Sequence, residues 1–207
     1  MNPESFWQEI LPPDHAASGG YPARFDDGRI LMLPIRQLPD GKQALASLIV
    51  NQASFAVVDA LAADLAQKLS RFAPQIIVGL PTLGLTLASA VAQKLGHARY
   101  VPLGVSAKFW YREQLSVPLT SITSPDQPKR LFLDPRMLPL LLERRVALVD
   151  DVISSGTSIL AGIALLQQCG IKPIALGTAM LQSDRWQESL AAWSIETVLR
   201  SPLLEAG

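Results

Sequence analysis

Between Val146 and Ser158 the chain reads VALVDDVISSGTS, which sets two kinds of chemistry side by side. Ionised Asp150 and Asp151 can only accept hydrogen bonds, so they call for donors such as the two hydroxyls of a ribose, or for a hydrated cation. Ser154, Ser155, Gly156, Thr157 and Ser158 follow as a run of small residues. If Thr157 begins a helix, the exposed N–H groups of its first turn favour an anion. Gly156, without a side chain, lets a phosphate come close to the backbone. The lysine of a GxxxxGK[ST] loop is missing, so a terminal monophosphate suits the run better than a triphosphate does. A ribose bearing a 5′-phosphate satisfies both halves.

Two plainer readings compete. The acids could merely end a strand and Ser154 or Ser155 cap a helix, which accounts for a cap but not for the whole run. The acidic pair of a phosphoacceptor receiver domain also follows an apolar strand, but it lies near the amino terminus and lacks the Ser/Gly/Thr bed.

The elements that must position these groups can be read outward from them. Val146 to Val149 is wholly apolar, as in a strand buried on both faces, and Ile159, Ile163 and Leu166 recur at helical spacing after Thr157. From Pro74 onward apolar runs alternate with helical patterns: QIIVGL, GLTLASAVAQKLG, RYVPLGV, then RVALVDD, SILAGIALLQQCG, PIALGTAML and RWQESLAAW. Such alternation predicts an α/β fold on a mainly parallel sheet flanked by helices. Ligands of open α/β sheets bind beyond the carboxyl ends of the strands, here Leu80 to Gly84, Val105 to Lys108 and Asp150 to Ser158. Nearer the amino terminus, Asp27-Gly28 predicts a turn into a strand ending near Pro34. A helix capped by Ser54 follows, with Val57, Leu61, Leu65 and Leu69 as its buried stripe.

Composition narrows the function. The 207 residues are 49% hydrophobic and 17% charged, which suits one sizeable core and excludes a disordered chain. Eighteen basic residues balance eighteen acidic ones, and no block of like charge appears, so generic nucleic-acid binding is not expected. The single Cys169 cannot form an internal disulfide and fits a reducing, cytoplasmic setting as a packed helix residue. MNPESFWQEILPPDH has no basic start and no sustained apolar core, so a signal peptide is not expected, and no apolar run is long enough for a membrane span. His15 and His97 are far apart, and no HExxH or cysteine-histidine cluster exists, so no direct metal site is expected.

VALVDDVISSGTS resembles the phosphoribosyl diphosphate (PRPP) binding motif of the type I phosphoribosyltransferases across all thirteen positions. The resemblance implies their α/β fold, with a small hood and a mobile lid loop. It implies that Asp150 and Asp151 hold the ribose 3′ and 2′ hydroxyls while Ser154, Ser155, Gly156, Thr157 and Ser158 wrap the 5′-phosphate. Upstream, VGLPTLGLTLASAVAQKLGHARYVPL is similar to the adenine phosphoribosyltransferase branch, by which Thr82, Leu83 and Gly84 would present backbone amides to pyrophosphate. Alone, that segment reads equally as a strand-to-helix turn capped by Thr82. SAKFWYREQLSVPLTSITSP occupies the place of the lid, with Lys108 and Arg112 as the cations that would close over pyrophosphate and exclude water; a surface hairpin is the alternative. The chain departs from the branch at Gly104 and Val105, where an Arg-Lys pair is usual.

By the same resemblance, the reaction is displacement of pyrophosphate from C1 of PRPP by a ring nitrogen of a nucleobase, with Mg²⁺ bridging the diphosphate and the ribose hydroxyls. Such a reaction asks for leaving-group stabilisation and positioning more than for a nucleophilic side chain. For the base, Phe25 and Trp186 are the aromatic stacking candidates. The lysine of hypoxanthine-guanine enzymes is missing, with Ala175 in its place, which speaks against a 6-oxopurine. The expected organisation is one domain over 1–207: an amino-terminal segment 1–73 that could contribute to the hood, a PRPP-binding core 74–182, and a carboxyl-terminal helix and strand 183–207. A homodimer is expected, as is no partnership with nucleic acid or membrane. A catalytically silent PRPP-binding regulator is the runner-up. Such regulators usually append a DNA-binding module, for which the chain has no spare basic domain.

Overall fold

The computed structural model describes residues 6–16, 19–119 and 129–205. In chain order its elements are β1 (Tyr21–Arg24), β2 (Ile30–Leu33), β3 (Ile35–Gln37), β4 (Gln43–Ala46), α1 (Phe55–Ser70), β5 (Ile76–Gly79), α2 (Gly84–Lys94) and β6 (Val101–Pro102). They continue with β7 (Ser116–Leu119), β8 (Lys129–Phe132), β9 (Val146–Ile153), α3 (Thr157–Gln168), β10 (Ala175–Gln182), α4 (Gln187–Leu190), β11 (Ile195–Ser201) and β12 (Leu204–Glu205).

Five strands make the central sheet in the order β11-β10-β9-β5-β6, and each pair is parallel. Side chains alternate across β9: Ala147 and Val149 join the core beneath α1 and α2, while Val146 and Leu148 join the core beneath α3. Both faces are therefore apolar, which is why the run carries no polar alternation.

Local rules place the helices. Ser54 caps α1, its Oγ accepting from the Val57 amide at 3.3 Å, and Val57, Leu61, Leu65 and Leu69 are all fully buried. Gly28 turns the β1-β2 hairpin with φ at 88°, as Asp27-Gly28 predicts. Thr157 begins α3, which buries Ile159, Ile163 and Leu166.

A three-stranded antiparallel sheet, β12-β4-β3, stands over the carboxyl end of β10, where the Gln182 side-chain amide donates to Ala46 O at 2.7 Å. Its third strand comes from the carboxyl terminus, a segment in which the sequence displays no chemistry. No helix among the described residues is long and apolar enough to cross a membrane.

Candidate functional site

β9 does not stop at Val149, as the apolar run alone suggests. It continues through both acids to Ile153, because pairing with β10 extends to Ile153 opposite Leu181. Asp150 and Asp151 are consequently inside the strand and buried, at 6% and 9% exposure, where a solvent-open strand end is the natural expectation. Asp150 lines a cavity of about 100 Å³ with Ser154, Ser155, Gly156, Thr157 and Ser158. Asp151 lines a second cavity of about 370 Å³ beneath β3 and β4.

Among the described residues neither acid forms an ion pair, although Arg36 lines the same cavity as Asp151. Asp150 Oδ1 accepts from the Asp151 amide at 2.9 Å. Burial pushes the Asp150 carboxyl well above its usual range, and the neighbouring Asp151 charge adds to the rise; burial likewise raises Asp151. Thr178, wholly buried on β10, donates its hydroxyl to Asp151 O at 2.8 Å and holds the backbone at this level.

The phosphate-type loop has the geometry that its composition suggests. Gly156 sits at the N-cap of α3 with φ at 83°, a left-handed conformation that favours glycine. Ser155 Oγ accepts from the Thr157 amide at 3.4 Å and lies 2.9 Å from Thr157 Oγ1. Hydroxyls and a helix N-terminus thus surround the small cavity.

The upstream segment reaches the acids directly. A Cβ on Gly84, the first residue of α2, would fall 2.7 Å from Asp150 Oδ1 and 2.9 Å from Asp150 Cα. Only glycine permits this approach, and it brings residues 82–84 against the acidic pair. The Pro81–Thr82 peptide is cis. Thr82 is not the helix cap: Leu83 occupies that position without a side-chain bond.

Several sequence expectations fail against the packing. Phe25 is 3% exposed in the core with Leu61 and Leu65, and the Arg29 guanidinium lies 4.7 Å from its ring centroid, so it offers no face for a base. The Trp186 indole donates to Ser183 O at 2.8 Å and packs against the α3-side core, outside the cavity under β3 and β4. That cavity's apolar walls are instead Leu38, Leu45, Leu48 and Val152. Ala175 is the buried first residue of β10, level with Ala147 and far down the strand from the acids; the β10 residue that lines the cavity is Gln182. Ala175 therefore carries no information about the base.

Lys108 and Arg112 are exposed and line neither cavity. The reason is the anchoring of their neighbour. Trp110 donates to Asp134 Oδ2 at 3.3 Å, and Arg136 both binds Asp134 and lies 4.7 Å from the centroid of the Trp110 ring. Positions 120–125 of the expected lid lie outside the described residues.

Arg185 escapes the sequence reading although it follows the carboxyl end of β10, where ligand-binding residues gather. Its guanidinium donates to Ser154 Oγ at 3.2 Å. Another cavity, of about 710 Å³, lies elsewhere, along the outer edge of β11. Its Lys68 and Arg71 are already paired with Asp26 and Glu196.

Comparisons with known proteins agree with this geometry. A family model described as the phosphoribosyl transferase domain matches residues 46–199. An adenine phosphoribosyltransferase of Corynebacterium efficiens is 34% identical over 132 residues, which are 61% of this chain and 61% of that protein. Among solved structures, an adenine phosphoribosyltransferase from Rhodothermus marinus superposes with a TM-score of 0.60 at 19% identity, covering 80% of this chain and 93% of that one. The APRTase of Giardia lamblia complexed with 9-deazaadenine also gives 0.60, at 21% identity, covering 70% of this chain and 80% of that one. These two likenesses establish the fold. A parallel sheet whose central strand carries a buried acidic pair, a small-residue loop at the next helix, and a family match spanning both together place this chain in the phosphoribosyl transferase domain family.

Proposed function

We propose that the chain transfers the 5-phosphoribosyl group of PRPP to a nucleobase, a purine such as adenine, and releases pyrophosphate. One observation carries the reading: the buried pair Asp150–Asp151, in no ion pair among the described residues, lies between a phosphate-sized cavity and a larger, mostly apolar one, with Gly84 pressed against it. A 5′-phosphate, a ribose and a planar base fit that order of sites.

Each group then has a stated task. Asp150 and Asp151 accept the ribose 3′ and 2′ hydroxyls and hold C1 at the boundary of the two cavities. The hydroxyls and amides of Ser154 to Ser158 take the 5′-phosphate. Thr82, Leu83 and Gly84 present amides to the diphosphate as it leaves. Leu38, Leu45, Leu48 and Val152 exclude water around the base, and Gln182 offers it an amide. Lys108 and Arg112 would act on the departing charge only after the lid swings from its anchorage at Asp134.

No group of three or more His, Cys, Asp or Glu side chains among the described residues could hold a metal. Two carboxylates and a bed of hydroxyls fit a hydrated cation carried mainly by substrate oxygens. Bound that way, Mg²⁺ would neutralise charge on the leaving diphosphate. The name of the 34%-identical relative supports adenine as the acceptor, and a cytoplasmic homodimer is part of the same proposal.

The test is pyrophosphate release from Mg²⁺-PRPP with adenine, hypoxanthine, guanine, xanthine, uracil or orotate supplied singly. Release with adenine above the others is expected. Silence with all six, in protein shown to bind PRPP, favours the PRPP-binding regulator, a reading to which Gly104 and Val105 in place of the usual Arg-Lys pair lend weight.

A further inference from the structure

The loop assigned to the 5′-phosphate has a deficit of charge. Its cavity is lined by Asp150, apolar residues, hydroxyls and Gly156, and among the described residues no cationic side chain lines it. A phosphate monoester near neutral pH carries roughly −1.5 to −2 charges, and the α3 N-terminus supplies only about half a positive one. Asp150, itself ionisable, works against the anion.

One cation among the described residues is bonded to the loop. Arg185 Nη2 donates at 3.2 Å to the Oγ of Ser154, a residue that lines the cavity. The chain spends backbone freedom to bring it there. Just after β10, Ser183 adopts φ of 58°, the left-handed region that a residue with a Cβ rarely takes. Three hydrogen bonds fix this corner: the Ser183 amide to Ser201 O at 2.8 Å, the Arg185 amide to Ser183 Oγ at 3.5 Å, and the Trp186 indole to Ser183 O at 2.8 Å. The corner turns residue 185 back across the sheet's end toward the loop that follows β9. The same segment continues into α4, whose Ser189 Oγ would lie 3.1 Å from a Cβ on Gly156. Residues 183–190 thus form the outer wall of the phosphate loop, and Arg185 is the cation of that wall, beside Asp184 and Glu188, of which only Arg185 bonds to the loop.

From this placement we infer that Arg185 binds the 5′-phosphate of the substrate as its cationic partner, exchanging the Ser154 hydroxyl for phosphate oxygens. The inference rests on the phosphoribosyltransferase reading. A planar guanidinium suits a phosphate because it can offer two parallel donors, which lysine cannot.

The experiment measures binding of PRPP, ribose 5-phosphate and inorganic pyrophosphate, with Mg²⁺, to the full chain and to Arg185→Ala and Arg185→Lys. Pyrophosphate lacks the 5′-phosphate and serves as the internal control. Arg185→Ala should weaken PRPP and ribose 5-phosphate by roughly 10-fold to 100-fold and leave pyrophosphate and the melting temperature unchanged. Arg185→Lys should recover part of the loss. Undiminished affinity of Arg185→Ala for PRPP and ribose 5-phosphate would overturn the assignment while leaving the transferase reading intact. An equal loss for all three ligands would overturn it too, by making Arg185 a prop for the fold. Wild-type protein that binds neither PRPP nor ribose 5-phosphate would remove the transferase reading and this inference with it.

Discussion

Asp134 and the Asp150–Asp151 pair are all largely shielded from solvent, yet their carboxylates are held in opposite electrostatic states. Arg136 donates to both oxygens of Asp134, and this, aided by the Trp110 indole, holds that carboxyl down at about 2. Among the described residues the central pair has no such partner, and burial raises both of its members. Asp134 is a finished interaction that ties the Trp110 segment to the end of β8. Asp150 and Asp151 are an unfinished one, and an unfinished buried pair is what a ligand rich in hydroxyl donors completes.

The stability consequences have opposite signs. For Asp134 the folded-state value lies below the unfolded one, so its contribution is full above the ordinary carboxylate range and is lost as pH falls toward about 2. For the central pair the folded-state values lie above the unfolded ones. Its ionisation therefore costs stability as pH rises from the ordinary range toward the raised values.

The largest effect that would sharpen this contrast comes from Asp150→Asn with Asp151→Asn. PRPP affinity should fall by more than about 100-fold, two charge-assisted hydrogen bonds being lost, while the melting temperature at neutral pH rises. Titration calorimetry and a thermal melt read the two arms; a lowered melting temperature would break the comparison. Asp134→Asn should do the reverse, costing about 1–2 kcal/mol because Arg136 is mostly exposed and its bond is screened, with PRPP affinity unchanged. Urea unfolding of the variant, alongside the same calorimetry, checks both halves. The smallest effect is a proton balance. A pair that holds protons above the usual range when free and accepts ribose hydroxyls when bound must release protons on binding. PRPP affinity should therefore strengthen as pH rises through the raised values, and calorimetry in buffers of different ionisation heat should report net release.

Most of the scaffold is legible in residue types because local rules act there. Ser54 before the Val57, Leu61, Leu65, Leu69 stripe sets where α1 starts and which side it buries. Thr157 after Gly156 sets the start of α3, and the alternation of apolar runs sets the parallel sheet. Where partners are distant in sequence, local rules fail. The apolar run stops at Val149, but β10 supplies ladder partners through Ile153, so the acids become buried strand residues. Phe25 carries the same aromatic face in a core as in a base pocket, and only the packing of α1 against the β1-β2 hairpin decides between them. Ala175 and Gln182 stand at opposite ends of one strand, and the register with β9 determines which of them meets a ligand.

The sequence by itself determined the chemistry on offer: two adjacent carboxylates, a bed of hydroxyls around Gly156, and a helix N-terminus to face an anion. Those follow from side-chain types and short spacing, over which backbone geometry is nearly standard. Tertiary structure decided the state and the company of those groups. Burial raised the acids, Gly84 was pressed against Asp150, the β3-β4 sheet roofed the second cavity, and a left-handed corner at Ser183 carried Arg185 to the loop. Desolvation and approach between segments far apart in the chain depend on the whole packed arrangement, and no local pattern encodes them.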